Sequence, residues 1–172
     1  MNVNLFFSTI GLGLMVIFFV FKPLNLKEQV FVDVPVFELK NFTLYELNNK
    51  GLTTLMSGER ALKYADRYEV STIDYTDNSE KYLANMKAKS GIYQKNIVEL
   101  DGEIVYIRED GLTFKTQKAL YYKDKNIVDV PTKYVSYRGQ NITTGSSMKY
   151  NNISENIESK NVTAKYEMKE KF

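Results

Sequence analysis

From Val30 onward, apolar and polar residues alternate along most of the chain. Val30, Val32, Val34 and Val36 share one parity, and Val98, Leu100, Ile104 and Tyr106 share another. Leu112, Phe114, Thr116, Leu120 and Tyr122 repeat the pattern, as do Val162, Ala164, Tyr166 and Met168. A period of two marks a strand with one buried face, and the 13 Tyr and 10 Phe suit a pleated surface. Turn signals punctuate the alternation at Asn48-Asn49-Lys50-Gly51, Asp101-Gly102, Asp110-Gly111, Arg138-Gly139 and Asn151-Asn152. The pattern predicts strands throughout. Only Val70–Leu83 is irregular, and its Asp74, Asp77, Asn78 and Ser79 predict a loop or a short helical excursion.

Within the alternation lies a repeat. A small residue precedes tyrosine by three positions in Ala61-Leu62-Lys63-Tyr64, Ser90-Gly91-Ile92-Tyr93, Ala119-Leu120-Tyr121-Tyr122 and Ser147-Met148-Lys149-Tyr150, with the tyrosines 29, 29 and 28 residues apart. A fixed period in this range marks a supersecondary unit stacked on its neighbours. After Tyr93 comes Asn96-Ile97-Val98, and after Tyr122 comes Asn126-Ile127-Val128, so the unit is strand, Asn-containing turn, strand. Parity puts Leu62, Gly91, Leu120 and Met148 on the face of their tyrosines. That face is apolar or small and is expected to point inward. An ordinary β-sandwich core has the same periodicity.

Ahead of the strands, Leu5–Phe21 is a run of 17 residues without a charge. As a helix it covers about 25 Å, near the lower limit for crossing a bilayer, and Val3, Leu24 and Leu26 can extend it. A cleaved signal peptide is the alternative, but no Lys or Arg precedes the run and no A-x-A-like site follows it. The expected organisation is a short N-terminus at 1–4, a membrane helix at 5–24, a linker and first strand at 25–34, and a β domain at 35–172. Lys22 and Lys27 taken alone would place the domain on the cytoplasmic side.

Composition narrows the chemistry. The 23 basic and 21 acidic residues are dispersed and give a net charge of +2, a solvated surface and not a nucleic-acid stripe. With no His and no Cys, the chain lacks the residues for Ser-His-Asp or Cys-His catalysis, typical zinc sites and thiol redox chemistry. A carboxylate-based hydrolase is the remaining enzymatic option, and the acids lie at turns (Asp101, Glu109, Asp110) or alternate along strands (Glu99, Glu103). No cofactor or metal is expected. There is no G-x-x-x-x-G-K-[ST], so any coupled ATP hydrolysis belongs to a partner.

The run Leu100-Asp101-Gly102-Glu103-Ile104-Val105-Tyr106, then Asp110-Gly111-Leu112-Thr113-Phe114-Lys115-Thr116 and Ala119-Leu120-Tyr121-Tyr122, resembles the OstA/LptA-type repeat. Pro35-Val36-Phe37-Glu38-Leu39, and Tyr137-Arg138-Gly139-Gln140-Asn141-Ile142 through Gly145 to Ser159-Lys160-Asn161-Val162, resemble the LptC family, as does the order of one anchor followed by such repeats. The resemblance covers nearly the whole chain. It implies a curved, partly open antiparallel β-jelly roll facing the periplasm, anchored in the inner membrane with its N-terminus in the cytoplasm. It further implies lipopolysaccharide as cargo, received from an LptB-LptF-LptG transporter and passed to an LptA-like protein by edge-strand pairing. An apolar trough for acyl chains would then be lined by Leu62, Tyr64, Ile104, Phe114, Leu120, Tyr122, Met148 and Tyr150. Gly145 is expected where the backbone bends or meets a neighbour closely, a simple turn glycine being the alternative. The competing function is a membrane-anchored periplasmic β-repeat scaffold that joins proteins and binds no lipid.

Overall fold

The computed structural model describes Met15 and residues 34–167 apart from 50 and 80. The chain divides into two compact units, Met1–Phe31 and Val32–Phe172. The membrane helix expected at 5–24 lies outside the described residues, Met15 apart, as does the linker up to residue 33.

The second unit is one antiparallel sheet of 12 strands. Six are long: β1 (Phe37–Asn48), β2 (Gly51–Lys63), β3 (Tyr68–Asp77), β4 (Ala84–Gln94), β5 (Ile97–Arg108) and β6 (Leu112–Tyr122). The others are short: β7 (Ile127–Val130), β8 (Tyr134–Arg138), β9 (Asn141–Gly145), β10 (Ser147–Asn151), β11 (Asn156–Lys160) and β12 (Thr163–Lys165). The short strands act in pairs. β7 and β8 both pair with β6, β10 and β9 pair with β7 and β8 in turn, and β11 and β12 pair with β10 and β9. Each pair is therefore one long strand broken in the middle, and the sheet is a meander of long strands that does not close on itself.

A line of breaks crosses the sheet at one height. In β1 it is Asn41 (φ 47°), in β3 Thr72 (φ 55°), and in β5 Gly102 with Glu103 (φ 79° and 51°). At Gly102–Glu103 the register shifts against both neighbours, a bulge that inserts an extra residue and bends β5, whereas at Asn41 and Thr72 the pairing stays one for one. The Thr72 hydroxyl donates to Glu59 Oε2 at 3.0 Å, Lys89 pairs with Glu103 at 2.6 Å, and the Glu103 N–H donates to Gln117 Oε1 at 3.2 Å. In the broken strands the line continues through Pro131, which has no N–H to donate, through Ser146, and through Asn161 (φ 51°). Strands that bend at bulges form the corners of two-layered β folds.

The corner holds what composition alone obscured. Asp101-Gly102 is not a hairpin turn but the bulge inside β5. Val70–Asp77 is strand, not loop or helix; its period breaks because the left-handed backbone at Thr72 (φ 55°) leaves Val70 and Ile73 both on the core face. The core is built there, from Ile73, Ala88, Leu100, Ile104, Ala119, Val130 and Tyr134.

Candidate functional site

Directly opposed residues in an antiparallel sheet point to the same face, so the register traces the inner surface row by row. On one side of the corner a row runs Leu44, Met56, Tyr75, Met86, Tyr106, Phe114. On the other side a row runs Tyr68, Tyr93, Val98, Tyr121, Val128, Tyr150. Between them lie the buried corner residues. Most members of both rows are only partly buried, and Leu44 and Tyr68 are exposed. The result is a band of aromatic, methionine and branched side chains, which in the second row continues from Tyr68 to Lys63 and Phe37 at the β1 side. Burial pushes the Tyr75 and Tyr106 hydroxyls above the usual phenol range, with Asp77 and Glu46 adding to the effect at Tyr75.

The register separates the residues that the repeat had grouped. Leu100 faces both Gly91 and Ala119, so the inward residue is the second of the motif in β4 and the first in β6. Likewise Ala61 opposes Val70, which opposes Gly91. Met148 and Tyr150 share the core face, and Ile104 and Phe114 lie on it past the corner. Leu62, Leu120 and Tyr122 were expected to point inward, but they lie on the outer face. Leu62 is opposed by Glu38 and Glu69, Leu120 by Glu99 and Asp129, and Tyr122 by Ile97 and Ile127. Tyr64 follows the end of β2, where its ring lies under Arg67 at 3.9 Å. The cause is that residues at equal height (Ala61, Gly91, Ala119, Met148) are 30, 28 and 29 apart, out of step with the motif by one residue in alternate copies. Because side chains alternate, a slip of one reverses the face.

Sequence reading missed Met56, Tyr75, Met86 and Tyr121 as members of this face, and it gave Tyr106 the parity of Ile104 without naming it in the lining. The signal that could have found Tyr121 is the Lys95-Asn96 turn. It places Val98 opposite Tyr93, and Tyr121 pairs on the far side of Val98.

The two ends of the face differ. At the β2–β3, β4–β5, β6–β7 and β10–β11 turns, the Tyr93 hydroxyl donates to Asn96 Oδ1 at 3.0 Å and the Tyr121 hydroxyl to Asn126 Oδ1 at 3.1 Å. Both asparagines are left-handed (φ 62° and 51°). Their carbonyls accept from the Lys123 and Asn152 N–H groups of the next turn, which ties successive turns together. At the opposite end Arg108 grips Asp110 through two hydrogen bonds of 2.8 Å, and Arg138 reaches the same carboxylate at 2.8 Å. The Arg108 bond, with help from the Leu112 N–H and Arg138, lowers the Asp110 carboxyl to about 2. A polar hollow of about 410 Å³ beside this cluster is lined by Arg138, Gly139, Gln140, Asn141 and Glu167, and it is separate from the apolar band.

Gly145 lies opposite Tyr134. A Cβ there would stand 2.6 Å from the Tyr134 ring and 2.9 Å from Ser159 Oγ, so the close backbone approach at this glycine is to a neighbouring strand of the same sheet. Tyr134 also stacks on Phe114 at 5.3 Å.

The profile of one protein family, described as lipopolysaccharide-assembly, LptC-related, matches residues 9–167. No curated protein matches the chain.

Proposed function

The chain belongs to the LptC-related family of lipopolysaccharide-assembly proteins, and on that premise we propose that it carries lipopolysaccharide along the inner face of its bent sheet. In this reading it is held in the inner membrane by the apolar segment at 5–24, with its N-terminus cytoplasmic and its β domain in the periplasm. It receives lipid from an LptB-LptF-LptG transporter and passes it to an LptA-like protein. Withdrawing an acyl chain from a bilayer costs about 0.8 kcal/mol per CH₂, so several chains need a continuous apolar lining, which scattered charges cannot replace. The observation that carries the proposal is the pair of apolar rows flanking the corner, Leu44 to Phe114 and Tyr68 to Tyr150, in a sheet that does not close.

Ile104, Phe114, Met148 and Tyr150 remain lining candidates, now joined by Tyr106 and Tyr121, whereas Leu62, Leu120 and Tyr122 drop out. The sheet ends at β1 on one side and at β11 and β12 on the other. A free edge carries unpaired backbone groups that a partner strand can extend, the geometry a protein-to-protein bridge needs.

A photo-crosslinking residue placed singly at Tyr106, Tyr121, Leu120 and Lys115 tests the proposal in cells. Lipopolysaccharide adducts at Tyr106 and Tyr121, with none at Leu120 and Lys115, are expected. Protein adducts with no lipid at any position would mean a scaffold that holds no lipid and would overturn the carrier.

A further inference from the structure

The outer face carries a repeat that keeps register where the tyrosine motif slips. Glu38, Glu69, Glu99, Asp129 and Glu158 stand at one height on β1, β3, β5, β7 and β11, 31, 30, 30 and 29 residues apart. The strands between them oppose these acids with Leu62, Ile92, Leu120 and Lys149, so no acid of the row meets another across a joint. Every joint is antiparallel, and an odd number of strands separates β1 from β11 along the path. The row therefore begins and ends on an acid, and the two edge strands run in the same direction.

Those edges are near copies of each other. Phe37-Glu38-Leu39-Lys40-Asn41-Phe42-Thr43-Leu44 on β1 matches Ile157-Glu158-Ser159-Lys160-Asn161-Val162-Thr163-Ala164 on β11 and β12, with Glu, Lys, Asn and Thr at the same places. Both asparagines are left-handed, at φ 47° and 51°, and both sit at the bend.

Continuing the sheet of one copy into a second, head to tail, sets β1 of one beside β11 of the other. With the bends aligned, Glu38 meets Glu158 and Lys40 meets Lys160. Like charges side by side on neighbouring strands are destabilising, and the compensating Glu–Lys diagonals are longer, about 7 Å against about 5 Å. Glu38 has little to give Lys160, because its carboxylate already holds Arg60 at 2.7 Å and Lys40 at 3.8 Å. A slip of two residues would set Glu38 beside Lys160 but would throw Asn41 and Asn161 out of line at the bend.

We propose that this duplicated charge pattern keeps the two edges of the chain from accepting each other, so that a second copy does not extend the sheet head to tail. Each edge instead takes a strand of a different protein, one that puts an apolar or basic residue beside Glu38 or Glu158, as Leu62, Ile92, Leu120 and Lys149 do within the sheet. The inference deepens the edge-pairing reading above and rests on it, but not on lipid occupying the inner face.

The chain has no cysteine, so Thr43→Cys and Thr163→Cys mark the two edges cleanly. Full-length proteins carrying one or the other are mixed in detergent and joined with a short bis-maleimide. Mixed dimers should stay rare with the native edges. Glu158→Lys with Lys160→Glu in the Thr163→Cys protein makes the edges complementary. Mixed dimers should then form at about tenfold lower concentration, and the gain should vanish in 1 M salt, where the screening length is about 3 Å. The reciprocal exchange, Glu38→Lys with Lys40→Glu in the Thr43→Cys protein, should give the same gain, and combining both exchanges should cancel it. Native edges that form mixed dimers as readily as the exchanged ones, or no mixed dimer from any combination, overturn the proposal. A photo-crosslinking residue placed at Thr43 or Thr163 in cells tests the edge-pairing reading by itself. Adducts to another protein there keep that reading whatever the exchanges do, and their absence at both positions overturns it.

Discussion

The ring of Tyr134 lies against Gly145, directly opposite it in the sheet, and nothing larger than hydrogen fits between them. A strand glycine is usually a weak point. Here it makes room for an aromatic side chain that stacks on Phe114 and donates to, or accepts from, Ser159 Oγ at 2.8 Å. Ser159 Oγ in turn donates to the Ser147 carbonyl at 2.8 Å, so a single ring binds β8, β9, β10 and β11 together. Gly145→Ala should lower stability by about 1–3 kcal/mol, the usual cost of overpacking. In a Tyr134→Ala background the same change should cost much less, because the two positions share one space. Urea unfolding of the four variants measures the coupling.

Gly91 supplies a contrast. A Cβ there would meet Ile73 Cδ1 at 2.7 Å and Leu100 Cδ2 at 3.1 Å. Both are ends of side chains that can turn away, whereas the Tyr134 ring cannot. Gly91→Ala should therefore cost less than Gly145→Ala, and the order of their urea midpoints checks it.

Ile104 sits just past the β5 bulge and is 3% exposed. Ile104→Ala should remove about 2–5 kcal/mol of stability, the range for large-to-small changes in a packed core. The companion Leu120→Ala, on the outer face between Glu99 and Asp129, should cost much less. Comparable losses at the two positions would contradict the facing assigned by the register.

Acid should loosen the Arg108–Asp110–Arg138 end. The Asp110 carboxyl titrates at about 2 in the fold, against an ordinary value of 3.8. A depressed carboxyl stabilises the fold above its unfolded value and loses that contribution as pH falls through the folded one. Stability should therefore decline between about pH 4 and pH 2, and Asp110→Asn should flatten that part of the profile. Asp74 is also depressed, through its hydrogen bond from Lys87, so some slope should persist. Urea midpoints across this range measure both.

Much of this protein is legible in one dimension. Strand content follows from alternation and from aromatic and β-branched residues. The hairpins at Asn48–Gly51, Asp110-Gly111, Arg138-Gly139 and Asn151-Asn152 follow from turn chemistry, because these choices are local. The tightness at Gly145 was likewise marked by a glycine inside a strand pattern. The facing of the repeat was not legible. Whether Leu120 or Tyr121 turns inward depends on how many residues each hairpin and bulge consumes before β6 meets β5, and a motif aligned by residue type does not count them. The left-handed residues at Asn41 and Thr72 and the bulge at Gly102–Glu103 interrupt the alternation of β1, β3 and β5, so parity before the corner says nothing about parity after it. The sequence by itself determined most of the strands and turns, with β3 and the Asp101-Gly102 bulge as the exceptions. Only the tertiary structure decided which side of each strand faces the apolar interior, because backbone hydrogen bonding between distant segments sets the register and a shift of one residue reverses the face.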